Sequence, residues 1–125
     1  MGSSGKSGKS GKGGKGGYTP GFDWSIKIVQ VSPGVAGFLP DVLGAAVGDS
    51  LQAQVSDIVT WGNTTAGTHQ PVRVDNGQSL CDAIVGGASS TPQFVVEGAV
   101  GDVISYKCSF HPQETGSITI VPNFI

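Results

Sequence analysis

Methionine is almost missing from this 125-residue chain: Met1 is the single one. Histidine and cysteine occur twice each, and only 13% of the residues are charged. Two cysteines are too few for a disulfide-built scaffold. So low a charge density excludes an acidic or basic disordered protein over the length of the chain. Apolar runs extend for a handful of residues, far short of the roughly 20 that a membrane helix requires. No stretch keeps a helical repeat of apolar positions for three turns.

The few charges are unevenly placed. Lys6, Lys9, Lys12 and Lys15 recur every third residue in a Gly/Ser-rich opening segment, residues 1–17, which reads as a flexible linker or an expression scar. Residues 18–125 then carry Lys27, Arg73 and Lys107 against nine acids, a net charge of −6. An acidic body of this kind argues against nucleic acid, whose binding depends on clustered Lys and Arg. The expected organisation is a linker over 1–17 and one domain over 18–125.

Period-two patterning begins at Trp24-Ser25-Ile26-Lys27-Ile28-Val29-Gln30-Val31 and stops at Ser32-Pro33-Gly34. Six further runs read as strands: Ser50–Val55, Ile58–Trp61, Val72–Val74, Phe94–Glu97, Val103–Cys108 and Ser117–Val121. Each is bounded by Gly, Pro, Asn or Asp. Residues 35–48 are apolar but broken by Gly37, Pro40, Gly44 and Gly48, and suggest a short helical turn or a flap. Ser79–Val85 has room for one or two helical turns. The pattern predicts an all-β fold: a Greek-key β-sandwich of seven to eight strands, with antiparallel pairing.

The chemistry concentrates in Cys108-Ser109-Phe110-His111-Pro112-Gln113-Glu114-Thr115-Gly116, a loop between two predicted strands. A thiol and an imidazole lie three residues apart there. The other histidine, His69, precedes a predicted strand 39 residues before Cys108, so a sandwich can bring it to the same end. Taken singly, a histidine beside a turn is ordinarily solvated and a lone cysteine ordinarily a small buried hydrophobe. Together they are the soft thiolate and imidazole set that a mononuclear copper centre requires. Zinc takes the same ligand types but wants a fourth firm donor, for which Cys81 or Glu114 is available.

Residues 24–125 resemble the cupredoxins, the small blue-copper family that includes plastocyanin and amicyanin. The resemblance is carried by Trp61 and Asn63, by His69 soon after them, and by Cys108-x-x-His111-Pro112 followed by the strand that opens at Gly116. It implies one copper ion held by His69, Cys108 and His111. Where plastocyanin and amicyanin carry an axial methionine, two residues before the glycine, this chain has Glu114. That residue is then an axial ligand, or it points into solvent and leaves an open, water-filled position. A backbone carbonyl is the third option.

The resemblance implies a single-electron carrier that docks a redox partner protein near His111, with Phe110, Pro112, Phe38 and Pro40 as a candidate apolar rim. The alternative is a copper protein whose open axial position binds, oxidises or reduces a small molecule such as nitric oxide. Multicopper oxidases and nitrite reductases are excluded, because they need many more histidines than two. The family's dinuclear copper version needs a second cysteine in the ligand loop, and this loop has one. Cys81 reads as a free thiol. Trp24 and Trp61 read as core aromatics, and the sequon Asn63-Thr64-Thr65 as a chance match. Family habit places such a domain in the periplasm, in a lumen or outside the cell.

Overall fold

The computed structural model describes residues 21–122, so the segment 1–17 lies outside the described residues. Eight strands form in chain order: β1 Asp23–Ser32, β2 Val35–Pro40, β3 Ser50–Ala53, β4 Ile58–Asn63, β5 Pro71–Arg73, β6 Phe94–Val95, β7 Val103–Cys108 and β8 Thr115–Ile120. They make two four-stranded sheets, ordered β2-β1-β4-β6 and β3-β8-β7-β5. The all-β sandwich expected from the patterning is the fold observed.

Alternation decides which side chains turn inward. Ile26 and Ile28 of β1 and Val59 and Trp61 of β4 are buried, as are Ile104 and Tyr106 of β7 and Ile118 and Ile120 of β8. Burial at i and i+2 is what a strand with one covered face produces. The intersheet core centres on aromatic rings: Tyr106 meets Trp61 edge-on at 5.4 Å and Phe38 at 4.9 Å between ring centroids. The indole Nε1–H of Trp61 donates to Tyr106 Oη at 3.3 Å, which gives both buried polar atoms a partner.

Three expectations are corrected. Residues 35–40 form neither flap nor helical turn but strand β2, paired antiparallel with β1 in the register Ile28↔Phe38. As an outer strand it tolerates Gly37 and a terminal Pro40. Residues 79–85 hold no helix; bridges His69↔Ile84 and Val72↔Ser79 bind this segment as extended loop. The pairing is mixed rather than antiparallel throughout, because β1 runs parallel to β4 and β3 parallel to β8. Side-chain period is the same in both directions, so alternation carries no information on strand sense.

Candidate metal centre

One end of the sandwich gathers the exit of β4, the loop before β5, the end of β7 and the β7–β8 loop. Cys108 is the last residue of β7, fixed in register opposite Pro71 of β5. The following loop closes tightly: His111 N–H donates to Cys108 O, Glu114 N–H to His111 O, and Cys108 N–H to Glu114 O. This chain of backbone bonds turns three side chains, those of Cys108, His111 and Glu114, to one point.

His69 arrives from the other side. Its N–H and C=O pair with Ile84 in both directions, at 3.1 and 2.7 Å. Asn63 anchors the loop that leads to it: Nδ2 donates to Gly67 O at 2.7 Å and to Ile84 O at 2.9 Å, while Oδ1 accepts from Thr65 N–H at 2.9 Å. With Asn63 buried and its amide occupied, the sequon cannot act as a glycan acceptor in the folded chain.

The resulting cluster comprises His69, Cys108, His111 and Glu114, each offering one ligand atom, all within 4.8 Å of one another. Cys108 Sγ lies 3.7 Å from His69 Nδ1 and 3.6 Å from His111 Nδ1. Glu114 Oε1 lies 3.0 Å from His69 Nδ1, and Oε2 lies 3.6 Å from His111 Nδ1. Of the two placements open to Glu114, the solvent-facing one is thereby corrected: its side chain is 2% exposed and faces the cluster. Its Oε2 also accepts from Ala36 N–H at 3.4 Å, which links the site to β2.

This donor set fits a single metal ion. One soft sulfur, two imidazole nitrogens and one hard oxygen converge where three of the four side chains are buried and their lone pairs face each other, an arrangement that costs free energy without a cation or shared protons between them. The loop supplies one thiol, Cys108, where the dinuclear type needs two.

The remaining candidates lie elsewhere. Cys81 is buried and outside the cluster; it makes no disulfide, and burial together with the Asp82 charge pushes its thiol up to about 12. Phe38 and Pro40 are buried and form no rim, whereas Phe110 and Pro112 stay exposed beside His111. The two imidazoles differ in exposure, 4% for the His69 side chain against 41% for that of His111. Trp61 is wholly core; Trp24 is half-buried and donates its indole N–H to Asp57 at 2.7 Å.

Two residues near the site carried no signal in the sequence reading. Gln70 follows His69 and accepts through Oε1 from Ser109 Oγ at 3.3 Å, while its carbonyl takes the Ser109 N–H at 2.9 Å, so the two ligand loops are stitched together. Thr65 places its hydroxyl 3.0 Å from His69 Nε2. Irregular loops have no periodicity from which such pairings can be read.

No protein-family model and no curated protein matches the chain. Solved structures do. A purple cupredoxin from Nitrosopumilus maritimus superimposes with a TM-score of 0.56 at 25% identity, covering 77% of this chain and 97% of that one. A Cu(I) amicyanin variant gives 0.55 at 18% identity over 77% and 79%. A second, reduced amicyanin variant gives 0.57 at 16% over 84% and 87%.

Proposed function

We propose that this chain, a cupredoxin by fold, is a copper-binding electron-transfer protein in which His69, Cys108 and His111 would hold the ion, with the Glu114 carboxylate as the fourth donor facing it. The observation that carries this reading is the convergence of the four donor atoms within 4.8 Å. A copper ion bound there would supply one-electron chemistry between Cu(II) and Cu(I). The residues supply the rest. Cys108 contributes a soft thiolate from a strand end, where it cannot relax away. His69 is locked by paired backbone bonds, and the Glu114 carboxylate adds negative charge, which favours the more oxidised ion. Because every donor belongs to a strand end or a tightly bonded loop, the geometry is held before metal arrives, and little rearrangement accompanies a change of charge.

The half-exposed His111 ring is the contact point for a partner. Phe110, 54% exposed, and Pro112 beside it provide the apolar surface that a transient redox complex needs. We place the domain in the periplasm, a lumen or outside the cell. Among the described residues no helix is long and apolar enough to cross a membrane.

A second reading has its own observation. A cavity of about 270 Å³ reaches the cluster between the β1–β2 turn and the loop before His69, lined by Gln30, Val35, Thr65, His69, His111 and Glu114. It can admit a small molecule, nitric oxide being one such, to a copper ion with an open side.

Titration of the purified protein with Cu(II) tests the proposal. One equivalent should develop an intense visible thiolate-to-copper band that ascorbate bleaches and re-oxidation restores. A protein that stays colourless defeats it. A band that moves on addition of azide favours the second reading over the first.

A further inference from the structure

We infer that Thr65 is a positioning residue for the metal centre: its hydroxyl fixes the proton of His69 on Nε2 and so presents the Nδ1 lone pair to Cys108, His111 and Glu114. The inference rests on the metal-site reading above and deepens it.

It follows from counting donors. A threonine hydroxyl has one proton to give. The orientation of the Asn63 amide is settled by its neighbours: Oδ1 accepts from the Thr65 backbone N–H, while Nδ2 donates to the carbonyls of Gly67 and Ile84. Thr65 Oγ1 is 2.7 Å from that same Oδ1, an atom that can only accept. Its other oxygen neighbour, Gly67 O at 3.4 Å, can only accept as well. The hydroxyl proton is therefore spent on the Asn63 side or on Gly67, and toward His69 Nε2, 3.0 Å away, Thr65 has only a lone pair left. The ring must carry its proton on Nε2.

With that proton on Nε2, a neutral His69 has a bare Nδ1, 3.0 Å from Glu114 Oε1 and 3.7 Å from Cys108 Sγ. Those are the partners it would share with a cation. The opposite tautomer would donate Nδ1–H to Glu114 instead and cancel one ligand. Asn63 thus acts on the centre through Thr65, and the Trp61–Asn63 strand end sets the protonation of a ring six residues further on. Fixing a ligand imidazole through its far nitrogen is a general device of metal sites, and loss of the fixing group typically costs about 10–100-fold in metal affinity.

The experiment compares wild type with Thr65→Val and Thr65→Ser. Long-range ¹⁵N–¹H correlation spectra of the metal-free protein, taken at a pH where both rings are neutral, report which nitrogen of His69 carries the proton. Competition for Cu(I) and for Co(II) reports affinity, and thermal unfolding checks the fold. Wild type and Thr65→Ser should show the Nε2–H form; Thr65→Val should lose that preference and bind both ions about 10–100-fold more weakly. A wild-type ring protonated on Nδ1, or a folded Thr65→Val with unaltered tautomer and affinity, would overturn the assignment. If wild type shows the Nε2–H form but binds no copper, the metal-site reading fails while the role of Thr65 in fixing the ring survives.

Discussion

Glu114 Oε1 and His69 Nδ1 lie 3.0 Å apart inside the sandwich, each on a side chain at most 4% exposed. A carboxyl oxygen and a bare imidazole nitrogen brought so close away from water need a cation between them, or a proton carried by the carboxyl group. The contact joins the β7–β8 loop to the loop before β5, and through Ala36 N–H the same carboxylate reaches β2. Glu114 therefore ties three parts of the chain to the metal centre.

Substitution of the two cysteines separates the site from the core. Cys108→Ser replaces the one thiolate in the cluster and should abolish the visible band on Cu(II) addition, with the sandwich still folded by circular dichroism. Cys81→Ser lies outside the cluster and should leave the band unchanged. Retention of the full band in Cys108→Ser would assign the sulfur ligand to Cys81.

Gly116, the second residue of β8, is a glycine for a steric reason. A Cβ built there would lie 2.5 Å from Tyr106 Oη and Cζ, on the ring that meets Trp61 and Phe38 edge-on. Gly116→Ala should lower stability by about 1–3 kcal/mol, the usual cost of overpacking. Urea unfolding measures it. Because Tyr106 and Cys108 are two apart on β7, the displaced ring should also shift the visible band of the copper form.

Alkaline pH should weaken the metal-free fold through Cys81. Burial, reinforced by the Asp82 charge, raises its thiol from 9.0 to about 12, so the unfolded chain ionises it first. A raised folded-state value contributes stability that is complete below pH 9 and is lost as pH climbs toward 12. Burial raises the Tyr106 hydroxyl too, and adds to the loss at the upper end of that window. Melting temperatures between pH 8 and pH 11 should fall more steeply for wild type than for Cys81→Ala. Parallel slopes would dismiss Cys81 as a source of the alkaline loss.

Much of this architecture is legible in the residues, and what is not has a physical cause. Alternation locates β1, β4, β7 and β8 because each buries one face, as Trp61 and Asn63 or Tyr106 and Cys108 do. It misses β2, where Gly37 and Pro40 read as breakers although an outer strand accommodates them. Cys108 and His111 are close in sequence and readable as a pair; that His69 joins them depends on Asn63 and Ile84 holding its loop. The direction of Glu114 follows from backbone bonds among Cys108, His111 and Glu114 that no spacing rule encodes.

Glu114 sits two residues before Gly116 and points at the cluster, so a methionine there can reach the ion where a solvent-facing residue could not. Glu114→Met exchanges a hard, negative oxygen for a soft, neutral thioether, which stabilises Cu(I) over Cu(II). The reduction potential should rise by more than about 60 mV, equivalent to over a tenfold change in the ratio of the two affinities. The visible band should move toward that of an ordinary blue site, and any response to azide should weaken. Glu114→Gln separates the two effects: it removes the charge without supplying sulfur, so it should raise the potential and leave the band nearer wild type. Both changes disturb the acceptor for Ala36 N–H, and Glu114→Met, which leaves that donor unpaired, should cost about 1–3 kcal/mol of stability. A potential unmoved in both variants would show that the carboxylate does not bear on the ion, and Glu114 would have to be given up as a donor.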